Sequence, residues 1–145
     1  MDDVKLLVDR LYDRWNSHDV DGWLACCNED IPFSGPGGLT GQGFETGRMF
    51  YSLWQDAFPD NKTTITAAAV EGNDAMQEAV FRGTHTQVLR APSGDIQPTG
   101  KTVELPYMLA LGFREGKWSS FHLYFDQVEL MTQLGLMPAP TSASG

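Results

Sequence analysis

Val103-Glu104-Leu105-Pro106-Tyr107-Met108-Leu109-Ala110-Leu111-Gly112-Phe113 and Trp118-Ser119-Ser120-Phe121-His122-Leu123-Tyr124-Phe125 flank the short turn Arg114-Glu115-Gly116-Lys117. Both segments alternate with period two, which reads as an antiparallel pair of strands. On the first, Val103, Leu105, Tyr107, Leu109, Leu111 and Phe113 share a face, and Met108 and Ala110 lie opposite. On the second, Phe121, Leu123 and Phe125 share one face. The other bears Trp118, His122 and Tyr124, with Asp126 at its end. A sheet that is apolar on both faces has to be covered on both. Helices can cover one; a second copy of the chain is expected on the other, giving a homodimer through the sheet.

Towards the N-terminus, Thr63–Val70 and Ala75–Leu89 are further strand candidates, separated by EGND and followed by the loop APSGDIQPTG. Before Lys62 the period is helical. In Val4–Asn16 the residues Val4, Leu7, Val8, Leu11, Tyr12 and Trp15 recur at three and four, one face of an amphipathic helix. Asp19 can cap a second helix over Val20–Asn28, and a third spans Glu45–Phe58, stopped by Pro59-Asp60-Asn61. Ile31-Pro32-Phe33 reads as an edge strand at most, because Pro32 lacks a ladder donor. The glycine-rich SGPGGLTGQG at 34–43 lacks a GK[ST] ending and reads as a connecting loop. A short helix over Gln127–Leu134 ends at Gly135. Helices first and antiparallel strands after them make an α+β fold: a curved sheet packed on three N-terminal helices.

Composition narrows the function. The chain has 145 residues, of which 41% are hydrophobic and 20% charged, an ordinary single-domain mixture. Its net charge of −9, with no Lys/Arg cluster, argues against nucleic-acid binding. No apolar run is long enough to span a membrane, and the acidic opening MDDVKLLVDR is unlike a signal peptide, so a cytoplasmic protein is expected. Cys26 and Cys27 are adjacent and read as small helix residues rather than a redox motif. His18, His85 and His122 share no ligand spacing, so no metal and no cofactor are expected.

Helices laid over a curved sheet leave room for an apolar pocket. His122, Tyr124 and Asp126 alternate on one strand and so project to one side; His85 shares parity with Phe81, Ala79 and Gly83, where the glycine permits a bulge or close approach. A carboxylate at the mouth of a dry aromatic pocket is a poised acid/base, suited to enolisation and intramolecular aldol closure. Each group has a plainer role as well. Asp126-Gln127-Val128-Glu129 matches a capping box, a role compatible with catalysis. His122 and Tyr124 can be hydrogen-bonded residues of a half-buried strand. His85 can hold the loop after it, and Asp60 reads as a turn residue.

Trp15-Asn16-Ser17-His18-Asp19, Ala57-Phe58-Pro59-Asp60, Gly83-Thr84-His85-Thr86, Pro98-Thr99-Gly100-Lys101, Phe113-Arg114-Glu115-Gly116-Lys117, Phe125-Asp126 and Gln133-Leu134-Gly135-Leu136 together resemble the SnoaL-like polyketide cyclases of the nuclear transport factor 2-like superfamily. The resemblance runs over residues 4–138 and implies one domain over 1–138; the Pro/Ser/Ala-rich end, 139–145, reads as a flexible tail. It implies a cone-shaped α+β barrel, usually dimeric, that works by acid/base catalysis without a cofactor. The key aspartate of such proteins corresponds to Asp126. Four residues earlier, where relatives often carry Trp, stands His122, a second titratable group.

The expected activity is therefore ring closure in a hydrophobic, carbonyl-bearing polyketide intermediate of natural-product biosynthesis. Asp126 is the expected acid/base, His122 and Tyr124 its partners, and His85 a more distant polar contact. Tyr12, Trp15, Phe33, Phe50, Trp54, Phe58, Phe81 and Met108 are the expected substrate-binding residues. Two alternatives are a pericyclic or Michael-type closure that works by folding the chain, and a non-catalytic binding module.

Overall fold

The structure is a computed structural model that describes residues 3–36, 39–91 and 94–137. The tail expected at 139–145 lies outside the described residues.

Helix α1 spans Val4–Asn16, and the Asp3 carboxylate accepts from the backbone amides of Lys5 and Leu6 at its start. Its buried stripe is Val4, Val8, Leu11, Tyr12 and Trp15, the apolar period read from sequence. The chain turns at His18, which takes a positive φ of 58°, and Asp19 caps α2 through Gly22 N. This helix covers Val20–Leu24, shorter than the expected Val20–Asn28. The reason is a competing partner: Trp118 N donates to Cys26 O and Asn28 N donates to Trp118 O, both at 3.0 Å. Those backbone groups are thereby drawn to the sheet instead of the helix. Helix α3 spans Gly43–Ala57, and α4 spans Gln127–Gln133 and ends at Gly135 with a φ of 78°.

Six strands form the main sheet: β1 (Pro32–Gly35), β2 (Leu39–Gln42), β3 (Lys62–Glu71), β4 (Asp74–Thr84), β7 (Thr102–Arg114) and β8 (Lys117–Phe125). Their order is β2-β1-β8-β7-β4-β3. All neighbours are antiparallel except β1 and β8, which run parallel through Phe33↔Phe121 and Ser34↔His122. Two expectations are corrected here. The segment around Pro32 is not an edge strand: β1 sits between β8 and β2, and Pro32 escapes the missing-donor penalty by pairing only with Gln42 of β2. The glycine-rich stretch is not loop throughout, since Leu39–Gln42 supplies β2. Likewise the strand expected over Ala75–Leu89 stops at Thr84. Leu89–Ala91 (β5) then pairs with Gly94–Ile96 (β6) in a separate hairpin, where a plain loop was expected.

One face of the sheet packs on the helices. From it Phe81, Leu105, Leu109, Leu111, Phe121 and Leu123 join Tyr12, Trp15, Trp23, Phe50 and Trp54 in a single core. A bulge decides where Trp118 belongs. Gly112 pairs with Ser120 but Phe113 pairs with Trp118, so Ser119 is an extra residue and the parity of β8 flips there. Trp118 is consequently 1% exposed in the core, not on the face of His122 and Tyr124 where period two alone places it. The outer face is mixed: Met76, Met108 and Tyr124 are exposed among Glu78, Arg82 and Glu104, the last two joined at 2.7 Å.

Candidate functional site

Between the inner face and the helices lies a partly open apolar cavity of about 60 Å³. Helix α1 contributes Leu11, Tyr12 and Trp15, α2 contributes Trp23, and α3 contributes Phe50 and Trp54. The sheet contributes Thr63, Phe81, Leu105, Tyr107, Leu109, Phe121, Leu123 and Phe125. A buried polar relay fixes the helical wall. Trp15 Nε1 donates to Asn61 Oδ1 at 2.9 Å, Asn61 Nδ2 donates to Gln55 Oε1 at 2.8 Å, and Gln55 Nε2 donates back to Trp15 O at 3.1 Å. Next to it, Asn16 clasps the backbone of Thr63 with two bonds of 2.8 Å, joining the end of α1 to the start of β3. The Trp15-Asn16 motif thus sets the relative position of the elements that carry Tyr12 and Thr63.

The polar groups of the lining are three hydroxyls and the buried, unpartnered indole N–H groups of Trp23 and Trp54. Thr63 Oγ1 and Tyr107 Oη are hydrogen-bonded at 2.5 Å. The Tyr12 hydroxyl is buried beside that of Tyr107, its one polar neighbour, but makes no hydrogen bond of good geometry. Burial raises both phenols above the ordinary tyrosine value, and the neighbouring Tyr107 adds to the effect on Tyr12. At neutral pH both are therefore protonated donors and not bases. Among the described residues, none that lines the cavity carries a carboxylate, imidazole or ammonium. Among the described residues, no three His, Cys, Asp or Glu side chains come together in a way that could hold a metal ion.

The structure separates the four residues expected to carry chemistry from this cavity. Phe121, Leu123 and Phe125 face inward, so the alternation that groups His122 and Tyr124 also turns both away. His122 Nδ1 is paired with Ser34 Oγ at 2.6 Å on the outer face, and Tyr124 is 60% exposed. Asp126 is exposed, and its Oδ1 accepts from Val128 N at 2.9 Å and Glu129 N at 3.2 Å. It is a helix cap, as the capping-box reading has it. His85 is fully buried beyond the cavity wall, against the Phe58 ring. Its Nδ1 accepts from Thr99 N at 3.2 Å and meets Thr99 Oγ1 at 3.0 Å, so it holds the loop before β7. Burial lowers its pKa from the usual histidine value.

Of the expected substrate-binding residues, Tyr12, Trp15, Phe50, Trp54 and Phe81 line the cavity. Phe33 and Phe58 are buried one layer behind it, packed on Phe50 and Phe121 and on Trp54 and Phe81 respectively. Met108 is on the outer face, opposite in parity to Tyr107. Gly83 permits a close approach and not a bulge, since a Cβ there would lie 3.0 Å from the Phe58 Cβ and 3.2 Å from that of Asn61. Tyr107 and Thr63 were missed. The signal for Tyr107 was present, a phenol in an otherwise aliphatic row between Leu105 and Leu109.

Comparison with known proteins places this geometry. The SnoaL-like domain family matches residues 8–121. No curated protein matches the chain. Among solved structures, a protein of Jannaschia sp. CCS1, provisionally assigned as a SnoaL-like polyketide cyclase, is 20% identical over 93% of both chains, with a TM-score of 0.80. IdmH of Streptomyces antibioticus, provisionally named a polyketide cyclase, is 22% identical over 92% of this chain and 99% of its own, with a TM-score of 0.78. A nuclear transport factor 2-like protein of unknown function from Burkholderia pseudomallei K96243 is 18% identical over 92% of this chain and 98% of its own, with a TM-score of 0.74. These likenesses show the fold, a nuclear transport factor 2-like sheet wrapped on helices. With the greater part of its length matched by the family, the chain belongs to the SnoaL-like domain family.

Proposed function

We propose that the protein closes a ring in a hydrophobic polyketide-type intermediate by intramolecular aldol addition, with the hydroxyls of Tyr12, Tyr107 and Thr63 managing the protons. The observation that carries this reading is the buried Tyr12 hydroxyl, without a hydrogen bond of good geometry and beside those of Tyr107 and Thr63, in a largely apolar cavity. A donor left unsatisfied there costs stability and is a ready partner for a ligand carbonyl. The chemistry needs no strong base if the nucleophile is the enol of a β-dicarbonyl. The enol carbon bonds to the electrophilic carbonyl carbon, and the enol oxygen gives up its proton as it becomes a carbonyl. The new alkoxide takes a proton. A chain of hydroxyls, each both donor and acceptor, can carry the proton from the first oxygen to the second. This reading moves the acid/base role expected of Asp126 to the cavity hydroxyls.

Acetylacetone labelled with carbon-13 at its carbonyls tests the proposal by nuclear magnetic resonance. Bound to the protein, it is expected to be enriched in the enol form, and Tyr12→Phe is expected to remove the enrichment. Equal keto–enol ratios in the two proteins refute the hydroxyl relay. Against a ring-forming substrate, Tyr12→Phe is expected to lower kcat by about a hundredfold, the usual cost of one donor to a developing oxyanion. The absence of a charged group from the lining favours a second reading, closure by conformational folding of the chain. In that case Tyr12→Phe leaves kcat nearly unchanged. The exposed apolar residues Met76, Met108 and Tyr124 support dimerisation through the outer face, which sedimentation of a Met108→Glu variant tests.

A further inference from the structure

The inner cavity alone is too small for a polyketide. Its volume of about 60 Å³ corresponds to a few water molecules, whereas drug-sized ligands occupy roughly 300–1,000 Å³. Two neighbouring spaces change that. A second void, of about 40 Å³, lies between α3, α4, β5 and β8 and shares Trp54, Leu123 and Phe125 with the inner cavity. A third, a groove of about 450 Å³, is bounded by Leu39 and Thr40 of β2, by Met49, Ser52, Leu53 and Asp56 of α3, and by Val88, Arg90 and Ala91 at β5. It shares Leu39, Leu53 and Ala91 with the second void.

Each partition in this series is a single side chain thick, because the same residues face the space on either side. The inner partition is the edge-to-face pair of Trp54 and Phe125, with ring centroids 5.5 Å apart. The Trp54 indole N–H is buried and unpartnered, so no hydrogen bond holds that ring in place. Successive faces of α3 serve the spaces in turn: Phe50 and Trp54 the cavity, Leu53 the middle void, and Met49, Ser52 and Asp56 the groove.

We infer that the three spaces are one binding channel for a long-chain carbonyl compound, gated by Trp54 and Phe125. The dicarbonyl head lies at Tyr12 and Tyr107, and the tail threads past Leu53 and Ala91 into the groove beside α3. The head-group part of this assignment rests on the ring-closing reading; the channel itself does not. The ligand class is an amphiphile with an unbranched apolar tail, which meets Leu39, Met49, Leu53, Val88 and Ala91 along the way.

The test is calorimetric binding of acetylacetone and of homologues in which one methyl is extended to a hexyl or a decyl tail. The unaltered protein is expected to bind more tightly with each added carbon, by roughly two- to fourfold per methylene buried. Ala91→Phe, which fills the middle void, is expected to abolish the gain from both tails and to leave acetylacetone binding unchanged. Ser52→Phe, on a half-buried position of the groove, is expected to abolish only the extra gain from hexyl to decyl and serves if Ala91→Phe does not fold. Affinity independent of tail length in the unaltered protein overturns the channel. So does an unchanged length dependence in a folded variant. Loss of the enol enrichment test together with a retained length dependence refutes the hydroxyl chemistry and leaves the channel standing.

Discussion

Two phenols a hydroxyl apart should respond to the same substitution with opposite signs. In Tyr12→Phe the atom removed is a buried oxygen that touches the Tyr107 hydroxyl but makes no hydrogen bond of good geometry. Leaving a hydroxyl unsatisfied costs about 1–3 kcal/mol, and the space its removal opens costs back about 0.4 kcal/mol at ~24 cal/mol per Å³ for one oxygen. The expected net effect is stabilisation by about 1 kcal/mol. In Tyr107→Phe the atom removed bonds Thr63 Oγ1, a residue only 6% exposed. Its loss strands the threonine hydroxyl and is expected to destabilise by about 1–2 kcal/mol. For a chain of 145 residues each kcal/mol moves Tm by about 2–4 °C, so the two variants should fall on either side of the parent in thermal and urea melts followed by circular dichroism. Tyr12→Phe melting below the parent by more than about 2 °C, or both variants shifting in one direction, refutes the reasoning. A stabilising Tyr12→Phe that also loses the enol enrichment marks the hydroxyl as one kept for a ligand at the expense of the fold.

His85 predicts a pH dependence. Its folded pKa lies below the ordinary value of 6.5, and its Nδ1 accepts the Thr99 N–H, so the unfolded chain binds the proton first as pH falls. The stability it contributes is full above pH 6.5 and is lost as pH drops from there through the lowered folded value; His85→Asn, which keeps an acceptor but does not titrate, should flatten a urea-midpoint profile in that window. At Asp126 the cap predicts a split: Asp126→Asn stays within a few tenths of a kcal/mol of the parent and keeps its activity, while Asp126→Ala loses about 1 kcal/mol in urea melts. Loss of ring-closing activity in a stable Asp126→Asn would return the acid/base role to that residue. Gly83→Ala should cost about 1–3 kcal/mol in the same melts, because its methyl meets Phe58 and the Asn61 backbone.

Element type was legible because the apolar period changes from helical to two at Lys62, and α1 falls on the residues its stripe marks. What escaped has identifiable physical causes. Alternation divides β8 into two sets but does not say which set faces the helices. The expectation put the reactive groups inside, whereas burial is won by the apolar set Phe121, Leu123 and Phe125. The extra residue Ser119, invisible to a period-two reading, reversed Trp118. The end of α2 depended on a backbone partner ninety residues away, at Trp118, which no local signal reveals. Alternation groups Tyr107 with the apolar row of its strand, and a phenol there declares itself only when its neighbours Tyr12 and Thr63 are known.

The position of β8 governs how the chain can mature. Strands β1 and β2 have no sheet to join until β8 exists, because β8 alone connects them to β7. On a ribosome, 88 residues separate the synthesis of Phe33 from that of its bridge partner Phe121, so Trp23, Phe33 and Phe50 stay uncovered for that interval. Such long-range closure makes acquisition of the native state slow and late. Nascent chains halted before Lys117 should consequently be protease-sensitive along their entire N-terminal third, and chaperone demand should fall abruptly once that last strand clears the exit tunnel.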